Sequence, residues 1–367
     1  MKKVFICTHI NDTHAMAAEV ALKGRGHKVV RWIGADIPTR ESLSFKFDPH
    51  LRAVFRSEGQ MHSTDEFDVV WWRRLTPALL PSSIHPGDKV VAEREWEVCF
   101  DALENAFRSD VLWINPVAGQ RLANDKVRQL VLAKRLGFKV PKTLVSNDIV
   151  EISEFINSVP AVVHKMFAPT SWKGSERYAR ARTTQVTSAH LEQADSLRLC
   201  PGIFQERIFK RKEIRATFMG EACISVEIEP KDNDGGVCDW RSIRQEHWKI
   251  SSCDLPPVVI ERCRKMMHLL GIVFGCFDII IDATGDYVFL EVNQMGQFLW
   301  KELDLPDLPM LQMFCDFVAS ENASVLGLST HDESFQHVLS TESYREIVDR
   351  EYPSHVDSKP YILDNQY

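Results

Sequence analysis

Two apolar segments, Phe277 to Ile281 and Tyr287 to Val292, flank Asp282-Ala283-Thr284-Gly285-Asp286, and the acids they carry constrain this chain more than any other feature. Alternating β-branched and aromatic residues around a Gly-containing turn read as an antiparallel hairpin. With residues 283–286 as the connection, Asp282 stands opposite Tyr287 and, counting outward, Asp278 stands opposite Glu291. Directly opposed side chains lie roughly 4.5–5.5 Å apart at Cβ, where two carboxylates repel each other. Because side chains alternate, Glu291 and Asn293 share a face roughly 6.5–7 Å apart, while Val288, Leu290 and Val292 fill the other. Asp278, Glu291 and Asn293 therefore bring three oxygen donors together. Hard oxygens in small number suit magnesium, which keeps water and takes further ligands from nucleotide phosphates. The competing reading is an exposed acidic face. Against it, Ile279, Ile280, Phe289 and Leu290 make both strands look buried, and a buried carboxylate needs a partner.

Upstream, residues 3–6 read as a strand, Ala15 to Leu22 as a helix closed by Gly24 and Gly26, and Val29 to Ile33 as a second strand. This βαβ opening lacks the Gly-x-Gly-x-x-Gly turn that lets a pyrophosphate approach a helix N-terminus, so it is Rossmann-like in shape without a dinucleotide site. A third strand, Val69 to Trp72, ends in Arg73-Arg74, and an amphipathic helix follows around Glu93 to Arg108. A second lobe begins near Asn124, a plausible helix N-cap ahead of a Val127, Leu130, Val131 stripe that Gly137 and Pro141 terminate. Then come strands at Ala161 to Lys165 and Ile203 to Ile208, a helix from Pro257 to Leu270, and the acidic hairpin. The pattern is α/β with α+β lobes around a cleft, divided as 1–120, 121–202, 203–320 and an extension 321–367.

Lys165 ends an apolar strand, where a phosphate would account for its ammonium, although a strand-end lysine is commonly just solvated. Lys126 starts a helix whose unpaired amides favour anions. Gln205-Glu206-Arg207-Ile208 joins a strand to the basic turn Lys210 to Lys212 and could form an adenine-reading hinge or a plain edge strand. Arg215, Arg241 and Arg244 lie between that hinge and the hairpin; guanidinium groups neutralise a γ-phosphate and the charge on a phosphoryl group in transfer.

In this order the pieces resemble the ATP-grasp superfamily, and within it the ligases that macrocyclise microviridin-type ribosomal peptides, the graspetides. The resemblance runs from about Asp68 to Leu311. It rests on VVWWRR (69–74), WINP (113–116), NDKVRQL (124–130), LGFKVPKTL (136–144), KEIRATFMG (212–220), DWR (239–241), GIVFGCFDII (271–280) and above all VFLEVNQMGQFLW (288–300). It implies an N-terminal pre-ATP-grasp lobe, a central lobe and a C-terminal mixed-sheet lobe, with ATP in the cleft between the last two. Lys126 and Lys165 would contact its phosphates, Gln205 and Glu206 would lie at the adenine hinge, and Asp278, Glu291 and Asn293 would hold Mg2+. Arg215 and Arg241 would line the acyl-phosphate site, and a loop around Ser171 to Glu176 would close over the nucleotide. The partners implied are a precursor peptide, recognised through its leader segment, and a second copy in a homodimer. One departure is Gln294-Met295, which stands where an Asn-Pro-Asn-like turn is expected.

Composition narrows the alternatives. The net charge of -7 is concentrated between Glu321 and Tyr367, where nine acids face three bases. The rest is close to neutral, which argues against a nucleic-acid partner. This acidic tail has no counterpart in the resemblance and would either be disordered or cover the cleft. No apolar run approaches the roughly 18 residues that span a bilayer, so a cytoplasmic location is expected. Nine scattered cysteines without a Cys-x-x-Cys pair suggest neither zinc nor disulfides. The function expected is ATP-dependent joining of a carboxylate to an amine or hydroxyl. Two alternatives share the nucleotide residues: a ligase that adds a free amino acid, and a non-catalytic ATP-binding sensor or scaffold. No general base stands out; Glu227 and Glu229 share one face of a strand that reads as solvated.

Overall fold

A computed structural model describes residues 1–167, 171–173, 178–180, 183–230, 248–321, 329–331 and 333–356. The N-terminal lobe opens with β1 (Lys3–Thr8), α1 (Thr13–Gly24) and β2 (Lys28–Ile33). Asp12 caps α1 by accepting from the Ala15 amide, and Val4, Ile6, Ala17, Ala18 and Ala21 pack the helix on the sheet. A small antiparallel sheet follows: β3 (Leu43–Lys46), β4 (Arg52–Ser57) and β5 (Gln60–Ser63). Then come β6 (Val69–Trp72), α2 (Pro86–Ala102) and β7 (Leu112–Ile114), which complete a parallel sheet of order β2-β1-β6-β7. The helix expected at Glu93 to Arg108 thus starts earlier, because Pro86 occupies its first turn and His85 caps it, and it gives way to a 3-10 turn at Leu103–Ala106.

Two helices, α3 (Val117–Asn124) and α4 (Lys126–Arg135), lead into the central lobe. The cap of α4 is Asp125, which accepts from the Arg128 amide, whereas Asn124 closes the preceding helix. The expected apolar stripe is also corrected, since Val127 and Val131 are exposed and α4 buries Gln129 and Ala133. The central sheet is antiparallel in the order β12-β9-β13-β8, from β8 (Thr143–Ser146), β9 (Val162–Lys165), β12 (Thr184–Val186) and β13 (Gly202–Glu206). Helix α5 (Ile149–Ser158) packs on one face through Ile152, Val162 and Phe204. A two-stranded ribbon, β10 (Ser171–Lys173) with β11 (Tyr178–Arg180), and the short α6 (Ala194–Arg198) lie between these strands in sequence. Strand β13 stops at Glu206, two residues before its expected end.

The C-terminal lobe is a five-stranded antiparallel sheet of order β16-β15-β14-β17-β18. Its strands are β14 (Lys210–Met219), β15 (Ala222–Pro230), β16 (Trp248–Ser252), β17 (Phe274–Asp282) and β18 (Tyr287–Asn293). Helix α7 (Pro257–Leu270) covers one face by burying Val259, Cys263, Met266 and Met267 on Ile214, Ala216, Phe277 and Ile279. Short α8 (Lys301–Asp304) and α9 (Met310–Ala319) return the chain to α1, where Phe314 meets Trp71.

The described part of the acidic extension, α10 (Phe335–Ser340) and α11 (Glu342–Ser354), packs on α1 rather than over the cleft. Buried and half-buried pairs fix it there. Arg31 bridges Glu19 (2.9 Å) and Glu351, Arg25 grips Asp316 (2.6 Å) and Glu333 (2.5 Å), and His355 meets Asp36 at 2.6 Å.

Candidate active site

The sheet places three charged residues in one row across neighbouring strands. Arg215 on β14 is the register partner of Asp278 on β17, and Asp278 is the partner of Glu291 on β18. Residues in register share a face, so the row lies opposite the face that α7 covers. The pairing of Asp278 with Glu291 matches expectation, but the counting that led to it does not. Tyr287 stands opposite Ile281, not Asp282, and Leu290 is an extra residue opposite the Asp278/Ile279 step. The bulge restores the register and redistributes the faces, since Phe289 and Val292 both enter the core under α7. Val288, Leu290 and Val292 therefore do not form one face.

Two facing carboxylates need a compensating charge, and the protein supplies one. Arg215 pairs with Asp278 through Nη1 and with Glu213 through Nη2 at 2.6 Å, and Lys210 holds the other Glu213 oxygen at 2.8 Å. Burial disfavours a guanidinium charge, but Asp278, Glu213 and Glu291 outweigh it and hold the Arg215 pKa above its usual value. On the same face, the Lys301 ammonium donates to Thr217 Oγ1 at 2.7 Å, and burial pushes its pKa below the usual lysine range. Asn293 Nδ2 donates to Glu291 Oε1 at 3.3 Å, tying the last donor to the row. Among the described residues no three His, Cys, Asp or Glu side chains form a metal cluster. The donor set here is two carboxylates and an amide, hard oxygens in the number that suits a magnesium ion carrying water and phosphate oxygens.

Two buried amides that sequence reasoning passed over hold this hairpin in place. Asn115, at the end of β7, donates to the carbonyls of Phe274 (2.8 Å) and Gln294 (2.9 Å) and accepts from the amides of Val273 (2.7 Å) and Phe274 (2.8 Å). Gln129 on α4 accepts from the Val292 amide at 2.9 Å and donates to the Val292 carbonyl at 3.0 Å. Asn115 thus ties the N-terminal lobe to the start of β17 and the turn after β18, while Gln129 covers the outer edge of β18. Gln294, where the sequence departs from the expected turn, is buried and donates to Asn124 Oδ1 at 3.3 Å.

Lys126 stands one turn before Gln129 and reaches the Met166 carbonyl at 2.7 Å, so α4 spans from the acidic hairpin to the end of β9. There Lys165 pairs with Ile203, and Gln205 pairs with Val163, all on the face of the central sheet turned away from α5. Gln205 is buried and donates to Thr143 Oγ1 at 3.0 Å. Glu206 pairs with Val162 and so points to the other face; its amide donates to the Lys142 carbonyl at 2.8 Å. Glu227 lies opposite Ile214 and grips Lys212 at 2.7 Å, with Glu229 at 2.9 Å, so both acids lie on the α7 side, away from the row. Arg241 and Arg244 lie outside the described residues, as do residues 174–176 of the loop Ser171 to Glu176.

Comparison with known proteins agrees with this geometry. Residues 3–121 match the family model of the MvdD pre-ATP-grasp domain. A search of curated protein sequences found no match. Among solved structures, the macrocyclase MdnC from Microcystis aeruginosa MRC, bound with precursor peptide MdnA, is similar at 25% identity and a TM-score of 0.77, over 86% of this chain and 99% of that one. Macrocyclase MdnB from the same organism is similar at 26% identity and a TM-score of 0.72, over 89% and 100%. The ATP-grasp ligase PsnB, complexed with a minimal precursor, Mg and ADP, is similar in fold at 19% identity and a TM-score of 0.64, over 87% and 96%. The chain thus has the fold of the ATP-grasp ligases, and its residues 3–121 are similar to an MvdD-type pre-ATP-grasp domain.

Proposed function

We propose that the protein uses ATP and magnesium to crosslink side chains of a ribosomally made precursor peptide through an acyl phosphate. The observation that carries this reading is the row Arg215–Asp278–Glu291, with Asn293 beside it, linked by α4 to the end of β9, where Lys165 and Gln205 share the face of the central sheet turned away from α5. Asp278, Glu291 and Asn293 would hold the magnesium, which when bound would neutralise phosphate charge and polarise the γ-phosphoryl group. Lys126 and Lys165 would orient the phosphates. Gln205 would read the adenine through its side chain and Glu206 through its backbone.

A peptide carboxylate oxygen then attacks the γ-phosphorus, and the bond to the β-phosphate oxygen breaks to release ADP. A Ser or Thr hydroxyl, or a Lys amine, of the same peptide attacks the acyl carbon and expels inorganic phosphate, so the peptide loses one water for each ester or amide formed. Arg215, with Arg241 and Arg244, would offset the charge of the acyl phosphate. Intramolecular attack removes much of the entropic barrier. The reading further places the enzyme in the cytoplasm as a homodimer that grips the leader of its peptide away from the chemistry.

The test is mass spectrometry of the short peptide encoded beside the gene after incubation with enzyme, ATP and magnesium. Loss of one water per crosslink is expected. An unchanged peptide sinks the proposal, and a gain of one amino-acid mass transfers the protein to the free-amino-acid ligases.

A further inference from the structure

In the parallel sheet of the N-terminal lobe, β1 has β2 on one side and β6 on the other, so the chain's connections leave its two flanks in opposite directions. Such a switch point opens a crevice at the carboxyl ends of the strands, and this is where open α/β sheets bind ligands. At these strand ends stand Thr8, the last residue of β1, His9 and Asp12 after it, and Arg73 and Arg74 after β6, all buried. The amides of both arginines donate to the Cys7 carbonyl at 3.0 Å, which fixes where their side chains begin.

Arg73 is 1% exposed. Its Nε donates to Asp12 Oδ2 at 2.6 Å and its Nη1 to the Met295 carbonyl at 3.5 Å, while its buried Nη2 meets no acceptor. A buried guanidinium N–H left unmet is costly, so such a group calls for an acceptor that arrives from elsewhere. Arg74 Nη1 lies 3.4 Å from His9 Nε2, and His9 Nδ1 lies 2.7 Å from the Ile10 carbonyl, which assigns the His9 proton to Nδ1. Met295 belongs to the turn that follows the donor-bearing strand β18, and Cys276, the register partner of Asn293, stands two residues from Asp278 on the same face. The crevice thus adjoins the end of the sheet that carries the donor row.

The crevice suits a carboxylate better than a phosphate. The N-terminus of α1 is already closed by Asp12, whose charge repels a dianion, and no glycine-rich turn offers spare amides. We propose, on the basis of the peptide-ligase reading, that this crevice is a substrate subsite in which Arg73, with Arg74 beside it, takes a side-chain carboxylate of the peptide and sets which residue reaches the phosphoryl group.

The test uses the full chain labelled with 15N-arginine, its Arg73 and Arg74 Nε–H signals assigned through Arg73→Lys and Arg74→Lys. It is titrated with N-acetylglutamate methylamide, with the glutamine analogue and with inorganic phosphate. A saturable shift of the Arg73 signal with the glutamate compound alone is expected. Equal response to the glutamine analogue, no response, or response to phosphate alone overturns the subsite. A paired kinetic measurement follows the peptide encoded beside the gene: Arg74→Gln should raise its KM about tenfold and leave the KM for ATP within about twofold, the size of a lost charge-assisted hydrogen bond. An unchanged peptide KM also overturns the subsite. The two readings fail separately, because wild-type enzyme that forms product while the Arg73 signal stays silent sinks only the subsite, and wild-type enzyme that forms no product sinks the ligase.

Discussion

The hairpin β17–β18 carries carboxylates at both ends, and the two ends are built differently. At the turn, Asp282 Oδ1 accepts from the Thr284 amide (2.9 Å), the Thr284 hydroxyl (2.6 Å) and the Asp286 amide (3.0 Å), while Oδ2 takes the Lys139 ammonium at 2.5 Å. Asp286 shares the same lysine at 3.1 Å. This is local chemistry: neighbours in sequence and one exposed lysine satisfy the acids and shape the loop around Gly285, whose φ of 89° suits glycine. At the cleft end, Asp278 and Glu291 face each other across the ladder beside a buried guanidinium two strands away from Glu291, and the hairpin backbone there is held by Asn115 and Gln129 from other lobes. Turn-end acids serve the fold, whereas cleft-end acids are held in an unfavourable juxtaposition by the rest of the molecule.

The sharpest break of this contrast is to neutralise one acid at each end. Glu291→Gln keeps the shape of the row and relieves carboxylate repulsion, so folding stability should hold or rise slightly, while ATP-dependent product formation should fall by about a hundredfold or more, the scale of losing one charge-stabilising group in a preorganised site. Asp282→Asn should leave turnover within about twofold, since that end only shapes a turn. Product formation by mass spectrometry, paired with thermal unfolding, checks both. Equal losses of activity from the two variants would erase the distinction.

The second comparison concerns what holds the cleft end in place. Gln129→Ala removes both partners of the Val292 backbone, and Asn115→Ala leaves four backbone groups, three of them buried, without their side-chain partner. Each should cost about 2–4 kcal/mol in urea unfolding, because stranded buried donors and acceptors carry their full desolvation penalty. A cost near zero for either would show that the hairpin stands without its props.

The hairpin was legible in sequence for a reason that also limits the method. Counting back from Tyr287 placed Asp278 opposite Glu291 through two compensating errors, a turn one residue longer than assumed and a bulge at Leu290 that composition does not mark. Likewise the βαβ opening and the helix Pro257–Leu270 announce themselves by period and by flanking Gly or Pro. Asn115 and Gln129 do not, since a side chain bonding to backbone some 160 residues away leaves no local pattern. The same blindness misread α4: a buried Gln counts as polar in any periodicity, so Val127 and Val131 were assigned the core that Gln129 and Ala133 occupy. The acidic tail was opaque because its charge suggested solvation, whereas Glu351 and Glu333 are matched by Arg31 and Arg25 from the first lobe. Its location had to come from partners more than 300 residues away.

The smallest expected effect refines the turn end and depends on pH. The Lys139 ammonium and the Thr284 hydroxyl hold the Asp282 carboxyl below the usual carboxylate range. A carboxylate whose folded pKa lies beneath its unfolded value of about 3.9 contributes stability in full above that pH, and the contribution fades as pH falls through the folded value. Asp282→Asn removes that titration. At neutral pH its cost should be small, because the lysine side of the pair is exposed and screened. As pH falls from about 4 toward the folded value the difference between wild type and variant should shrink steadily, first because the unfolded carboxyl takes up its proton and last because the folded one does and loses the attraction of Lys139. Urea midpoints measured across that window decide it: a gap that stays constant from neutral to acid pH would mean that hydrogen bonds to the turn, and not the ion pair, account for the stability of this end.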